Sequence, residues 1–270
     1  MLQEHFFEER GIYYRSSEIR SDRTTLVFVH GLTPSSAVWL PYEPHFEGAY
    51  NIVSPDLRGH GRSRKPGRYE DYRIEEMTGD IDALLTHLGV EKYIPVSSSL
   101  SCLIMLILLK ERPGAVAAIF LNPLYGTKKI LLTRISEAFV AGCAKIAGLF
   151  SYSNKPGKHT DYKSLGRVWD LSPKLMLREI PNTTLHVYLF CLDNLYKRDF
   201  DAWWQDVKVP ILLIHGEHDI ISPVAQIRRL ASTLPNAKLV VLPHGSHVMP
   251  LNYPDEIAGI MNSFLKDLPN

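Results

Sequence analysis

Short apolar runs recur along the chain and alternate with segments of helical periodicity. An apolar run of four to six residues between turn residues is typical of a strand that is buried on both faces. Such strands occur in parallel sheets, whose connecting helices cover the two sides. We therefore predict an α/β fold with a mostly parallel central sheet and helices on both faces. The predicted strands are residues 25–29, 51–54, 93–96, 116–121, 211–214 and 238–242.

Two helical patterns fit between these strands. The first is a single apolar stripe at helical spacing, which Gly89 is well placed to end; its members are Ile74, Met77, Ile81, Leu84, Leu85 and Leu88. The second, residues 103–109, is apolar on every side and closes before Pro113. A helix that is apolar all round is typical of the middle of a molecule.

The pattern changes after Pro123. Residues 124–205 contain no clear strand, but they contain amphipathic stretches at residues 130–149 and 185–196, with the polar segment 151–163 between them. We predict that residues 124–205 form a helical cap inserted into one core domain, which consists of residues 1–123 and 206–270.

The charge balance and the cysteine content indicate which binding partners and which cellular location to expect. The 30 Lys and Arg residues nearly balance the 29 Asp and Glu residues, so nothing indicates a nucleic-acid surface or an anionic membrane partner. No apolar stretch is long enough to cross a bilayer, so we expect no stable membrane insertion. Three cysteines without a CxxC pair fit reduced thiols, and a charged N-terminus is unlike a secretory signal. A cytoplasmic location is the expectation.

A serine cluster separates the strand at residues 93–96 from the apolar helix that follows it. In the G-x-S-x-G elbow, a nucleophilic serine sits in a strained turn of this kind, with small residues two positions before and after it. Here the flanking residues are Ser97 and Ser101, which centres the pattern on Ser99. Because serine carries a Cβ, the pattern is a degenerate one.

A serine nucleophile needs a histidine base and a carboxylate that orients the histidine. His215-Gly216-Glu217-His218-Asp219 follows the strand at residues 211–214, and His244-Gly245-Ser246-His247 follows the strand at residues 238–242. The order serine, acid, histidine is the one that this architecture uses.

Four motifs in this order resemble the α/β-hydrolase superfamily, and the similarity covers nearly the whole chain outside the predicted cap. Val29-His30-Gly31-Leu32 resembles the oxyanion loop of that family, and residues 56–63 (DLRGHGRS) resemble its D-x-R-G-x-G-x-S stretch. Gly216-Glu217-His218-Asp219 resembles its acid turn, and His247 its terminal histidine.

The resemblance implies a role for five residues. Ser99 would be the nucleophile, Asp219 the acid and His247 the base, and the main-chain NH groups of Leu32 and Leu100 would form the oxyanion hole. No cofactor is implied. Eleven histidines form no HxxxH or HExxH pair, so we expect no metal.

Neighbouring residues offer rival assignments. Ser98 is an alternative nucleophile and His244 an alternative base, and Glu217 could replace Asp219. The segment Leu121-Asn122-Pro123-Leu124, where some relatives place the acid, has no carboxylate. Asp56, Arg58, His60 and Arg62 are interpreted as parts of a hydrogen-bonded loop that braces the sheet beside the predicted oxyanion segment. Large aromatic residues that could line an acyl pocket are Trp39, Trp203, Trp204, Phe139, Phe150 and Phe190.

We therefore expect a serine hydrolase, of the carboxylesterase type, that cleaves esters of small to medium hydrophobic substrates. Alternatives are a lactonase (acyl lactones included), a carbon-carbon hydrolase with the same triad, and a non-catalytic ligand-binding protein on the same scaffold. The expected partner is a small-molecule ester or lactone, and the expected assembly is a monomer or homodimer.

Overall fold

The structure is a computed structural model that describes residues 2–126, 131–150, 152 and 154–268, with the backbone alone for residues 131–135. Ile130, the first residue of one predicted helical stretch, and Ser151, the first residue of the predicted polar segment, lie outside the described residues.

An eight-stranded sheet forms the centre of the molecule, in the order β1-β2-β4-β3-β5-β6-β7-β8. The pairs β1-β2 and β2-β4 are antiparallel, and all the other pairs are parallel. The predicted mostly parallel sheet is confirmed, and all six predicted strands are present. The strands are β1 (Gln3–Phe7), β2 (Ile12–Ser16), β3 (Thr25–Val29), β4 (Asn51–Pro55), β5 (Tyr93–Ser98), β6 (Ala118–Leu121), β7 (Ile211–Gly216) and β8 (Ala237–Leu242).

Helices cover both faces of this sheet. The helices are α1 (Ile74–His87), α2 (Leu100–Glu111), α3 (Leu131–Ala147), α4 (Pro173–Thr183), α5 (Leu185–Tyr196), α6 (Val224–Thr233), α7 (Met249–Asn252) and α8 (Pro254–Lys266). Alternate residues of each buried strand face opposite sides. In β3, Val27 and Val29 pack with α1 and α2, while Leu26 and Phe28 pack with α8. The sheet is therefore buried on both sides, as its continuous apolar runs require.

The sequence did not predict β1, β2 or α4. Most of β1 is exposed, so it lacks the apolar run of the central strands. The β1-β2 hairpin closes at Gly11, whose φ of +67° suits glycine. In α4, Pro181 lies inside the helix, where proline is normally a breaker.

A long insertion joins β6 to β7 and contains α3, α4 and α5, with no strand among its described residues. We propose, on this basis, that residues 124–205 are the cap. Polar contacts attach the insertion to the loops that follow β3 and β4. His159 is hydrogen-bonded to Asp56 at 2.8 Å, and the Thr183 hydroxyl donates to the main-chain oxygen of Thr33 at 2.9 Å.

The insertion also contains a buried carboxyl group that forms no salt bridge among the described residues. Glu179 in α4 is 2% exposed, and the hydroxyl groups of Thr160 and Tyr162 lie beside it. Its Oε1 has no hydrogen-bond partner in the described part of the chain. Burial raises the pKa of Glu179 from its usual 4.5 to about 7. The carboxyl group is therefore protonated in the folded protein at mildly acidic pH.

We expect Glu179 to make the folded protein less stable as pH rises. Between its unfolded pKa of 4.5 and its folded pKa of about 7, the folded state binds the proton more tightly, so stability falls through this window by about 3 kcal/mol. Glu179→Gln stays neutral and lacks this dependence. Urea unfolding of both proteins from pH 4.5 to 7.5 measures the difference. Parallel pH dependences in the two proteins would contradict the assignment.

Candidate active site

Ser99 lies at a sharp turn between β5 and α2. Its φ is +55° and its ψ is −117°, a conformation that a side-chain-bearing residue adopts only under strain. Gly31 passes close to this turn: a Cβ built on it would lie 3.2 Å from the Ser98 oxygen and 3.5 Å from the Ser99 Cβ. The turn exposes the Ser99 hydroxyl to the cavity described below, and Gly31 permits the close approach of the β3 loop.

Three side chains from three strand ends form a continuous hydrogen-bonded chain. The Ser99 Oγ lies 2.9 Å from the His247 Nε2, and the His247 Nδ1 lies 2.7 Å from the Asp219 Oδ2. The other carboxylate oxygen of Asp219 accepts from the main-chain NH groups of Ile221 and Ser222, both at 2.8 Å. This arrangement assigns the proton to Nδ1 of His247, so that Nε2 is free to accept the serine proton.

Asn122, which sequence reasoning treated only as a position without a carboxylate, holds the backbone of two of these loops. Its amide nitrogen donates to the main-chain oxygens of His247 at 2.7 Å and Ser246 at 3.1 Å. Its amide oxygen accepts from the Gly216 NH at 3.1 Å. Asn122 is fully buried with a φ of +46°, a conformation that asparagine tolerates better than most residues. The sequence feature that could have identified this role of Asn122 is a single polar residue directly after a buried strand.

The main-chain NH groups of Leu32 and Leu100 have no hydrogen-bond partner among the described residues. Leu100 is the first residue of α2, where no intrahelical acceptor exists. The Gly31–Leu32 peptide is oriented by His30, whose Nδ1 donates to the Gly31 oxygen and whose Nε2 accepts from the Leu57 NH, both at 2.9 Å. Burial lowers the pKa of His30 to about 3, so its ring is neutral and can play both roles.

A cavity of about 290 Å³ opens onto Ser99 and His247. Its walls come from both the sheet loops and the insertion, and they are mainly apolar. Insertion residues in the lining include Leu171, Leu175, Leu192 and Leu195. The arrangement can hold a hydrophobic group against a hydrogen-bonded serine.

Of the aromatic residues suggested for the pocket, Trp39 lines the cavity. Trp204 and Phe190 are fully buried in the core, Trp203 packs against that core, and Phe139 and Phe150 are exposed. The other aromatic lining residues are Tyr188, Tyr196 and Phe200, which the sequence did not single out.

The rival residues contact other groups. His244 is hydrogen-bonded to Glu256 at 2.9 Å, and Glu217 pairs with Arg228 at 3.0 Å. Ser98 lines the cavity, but the His247 Nε2 is hydrogen-bonded to the Ser99 hydroxyl. None of these rival residues joins the chain of Ser99, His247 and Asp219.

The residues of the D-x-R-G stretch also bind structural partners. Asp56 accepts from the main-chain NH groups of Ser36 and Arg62, both at 2.8 Å. Although burial raises the pKa of Asp56, the hydrogen bond from His159 contributes to a net lowering to about 2. Arg58 binds both oxygens of Asp80 at 2.5 Å. These contacts fit the interpretation of this stretch as a hydrogen-bonded loop that braces the sheet.

The described residues contain no group of three or more His, Cys, Asp and Glu residues placed to hold a metal ion. They also contain no helix that combines the length and the apolar character needed to span a bilayer.

Comparison with known proteins agrees with this geometry. The family model described as the alpha/beta hydrolase fold matches residues 24–253. The chain belongs to the α/β-hydrolase fold family. The predicted family and fold are therefore confirmed.

Individual relatives of this α/β-hydrolase are distant. Protein ABHD8 of Mus musculus is 25% identical over 252 residues, which are 89% of this chain and 54% of that protein, so the chain spans about half its length. RutD of Shigella flexneri, whose name assigns it provisionally as a carbamate hydrolase, is 24% identical over 94% of this chain and 95% of its own. The enol-lactonase structure from Burkholderia xenovorans LB400 has a TM-score of 0.72 at 22% identity, covering 95% of this chain and 96% of that one.

The two serines that flank Ser99, where glycines are usual in this family, have different environments in this α/β-hydrolase. The Ser101 hydroxyl lies 2.7 Å from the main-chain oxygen of Val29 and 2.9 Å from the Ser98 NH. The Ser97 hydroxyl is buried without a hydrogen-bond partner in the described chain, near the Cys102 thiol. Ser101 therefore fastens the elbow to the end of β3.

We expect Ser101→Gly to lower the free energy of unfolding by about 1–3 kcal/mol more than Ser97→Gly does. Both changes remove a buried hydroxyl and add backbone freedom, but only the first leaves a buried donor and a buried acceptor without their partner. Urea unfolding of the two variants measures the difference. Equal losses would show that the Ser101 hydroxyl contributes no net stability.

Proposed function

We propose that this member of the α/β-hydrolase family is a serine hydrolase that cleaves carboxylic esters of small to medium hydrophobic substrates. The observation that carries the proposal is the hydrogen-bonded chain from Asp219 through His247 to Ser99, which ends in an apolar cavity. Two unpartnered main-chain NH groups, those of Leu32 and Leu100, complete the set of groups that acyl transfer needs.

In the first step, the Ser99 oxygen attacks the ester carbonyl while the His247 Nε2 takes its proton. The carbonyl oxygen becomes an oxyanion, which the NH groups of Leu32 and Leu100 stabilise by hydrogen bonding. Asp219 stabilises the imidazolium and keeps the proton on Nδ1. Collapse of the tetrahedral intermediate gives an acyl-enzyme, and the departing alcohol receives the proton from His247.

In the second step, a water molecule takes the place of the alcohol. His247 removes a proton from this water as it attacks the acyl carbon, and the same two NH groups bind the second oxyanion. The acid leaves and the proton returns to the Ser99 oxygen. The cycle uses groups of this chain and requires no cofactor.

Several chemistries share this machinery. Lactone opening follows the same steps with a cyclic ester, and a carbamate, the substrate class in RutD's name, would form a carbamoyl-enzyme on Ser99. A carbon-carbon hydrolase and a non-catalytic ligand-binding protein are the further alternatives. A cytoplasmic location and a monomeric or homodimeric state stay predictions.

We expect Ser99→Ala to lower kcat for an aryl ester by about 10⁴-fold or more, because the hydroxyl that forms the acyl-enzyme is gone. Ser98→Ala, the same change at the neighbouring serine, should retain at least a tenth of the activity. Steady-state kinetics with p-nitrophenyl butyrate measure both. Unchanged hydrolysis in Ser99→Ala would overturn the proposal.

We expect kcat/KM to rise with acyl chain length by about fourfold per methylene group until the cavity is filled, and then to fall. Burial of one methylene contributes about 0.8 kcal/mol. A series of p-nitrophenyl esters from acetate to decanoate measures the profile. A flat profile would show that the acyl chain does not enter the cavity.

A further inference from the structure

Asp170, a residue of the insertion that precedes α4, reaches two loops of the sheet domain at once. Its Oδ1 accepts from the Val248 NH at 3.1 Å, and its Oδ2 accepts from the Ile220 NH at 3.3 Å. These NH groups belong to the residues directly after His247 and Asp219. One carboxylate from the insertion therefore links the loop of the base to the loop of the acid.

The environment of Asp170 fits a positioning role. Asp170 is 6% exposed, and it forms no salt bridge among the described residues. A buried carboxylate without a counter-ion depends on its hydrogen bonds for compensation. The two NH donors are therefore the partners that stabilise Asp170 in this place, and a shift of either loop would leave the charge undersolvated.

Asp170 and Asn122 bind main-chain groups of the same two loops, one from the insertion and the other from the sheet. Asn122 holds the His247 oxygen and the Gly216 NH from the end of β6, whereas Asp170 holds a later NH of each loop, from the insertion. The bond between His247 and Asp219 spans the same two loops and depends on their separation. On the sheet side, Asn122 and the main-chain hydrogen bond from the His218 NH to the Gly245 oxygen, at 2.9 Å, fix that separation.

The segment that carries Asp170 is also strained and adjoins the cavity. Leu171 has a φ of +59°, which a leucine keeps only where its surroundings impose it. Leu171 and Ser172 line the cavity beside Ser99. A molecule in the cavity would thus touch the residues next to Asp170.

We propose that Asp170 is a positioning residue that aligns the His247–Asp219 pair. The hydrogen-bonded chain of Ser99, His247 and Asp219, here called the relay, is then aligned only when the insertion is docked. The inference rests on the proposed function and deepens it, because it makes the insertion a part of the catalytic apparatus as well as a wall of the pocket. Release of the insertion would remove Asp170 from both loops and lower the reactivity of Ser99 without touching the three relay residues.

Asn252 provides a matched control. Its side chain accepts from the Val168 NH at 3.1 Å and donates to the Val168 oxygen at 2.6 Å. It therefore fastens the same segment to the sheet domain two residues before Asp170, but it contacts neither relay loop. Asn252→Ala removes one attachment of this segment and leaves both hydrogen bonds of Asp170 in place.

The experiment compares Asp170→Ala, Asp170→Asn and Asn252→Ala with the unaltered protein, after thermal unfolding has verified that each is folded. We expect Asp170→Ala to lower kcat by about 10- to 100-fold, since misplacement of a catalytic group by about 1 Å can cost 100-fold. Asp170→Asn keeps one acceptor oxygen and should lose less. Asn252→Ala should change KM more than kcat. Equal kcat values in Asp170→Ala and the unaltered protein, or an equal kcat loss in Asn252→Ala, would overturn the inference.

A readout that needs no substrate separates this inference from the proposed function. We expect the Nδ1 proton of His247, hydrogen-bonded to Asp219, to give a far-downfield proton NMR signal that Asp219→Asn identifies by its loss. We expect Asp170→Ala, and not Asn252→Ala, to shift or broaden this signal. An unmoved signal contradicts the role of Asp170, whereas a moved signal in a protein that no fluorophosphonate labels at Ser99 contradicts only the hydrolase proposal.

Discussion

The parallel pairing of β3, β5, β6, β7 and β8 is the constraint on which the site depends. Parallel strands end at the same edge of a sheet, so residues far apart in the sequence meet there. Ser99 follows β5, Asp219 follows β7 and His247 follows β8. The hydrogen bonds between neighbouring strands fix the positions of the strand ends. This allows the Ser99 Oγ to lie 2.9 Å from the His247 Nε2, and the His247 Nδ1 to lie 2.7 Å from the Asp219 Oδ2.

Most of this architecture could be predicted from the sequence, because burial on both faces leaves a strong apolar signal. Strand β3 matches its predicted range of residues 25–29. The elements that the sequence does not predict lack this apolar signal. In β1, residues such as Glu4 are exposed at the sheet edge, so pairing with β2 carries no hydrophobic pattern. The order of the strands was equally invisible, since it depends on pairing between distant segments.

The residues of the site also fall into those that the sequence predicts and those that it does not. Ser99, Asp219 and His247 were chosen from local motifs, and the structure brings these three side chains together. Asn122, Asp170 and the neutral ring of His30 act through main-chain groups. For Asn122 and Asp170, the contacted atoms lie 50 or more residues away in the sequence. No local pattern records which amide a side chain will reach, so such residues become visible only once the backbone is in place.

The two candidate oxyanion donors are peptide NH groups, and this has a consequence for how such a site can diversify. A side chain can be replaced by mutation, but almost every residue supplies an amide hydrogen, proline excepted. Leu32 borders the cavity, so its side chain can be exchanged to suit a new ligand while its amide stays in place. The substrate selectivity that the side chain sets can therefore change while the stabilisation of the oxyanion by the amide of the same residue is kept.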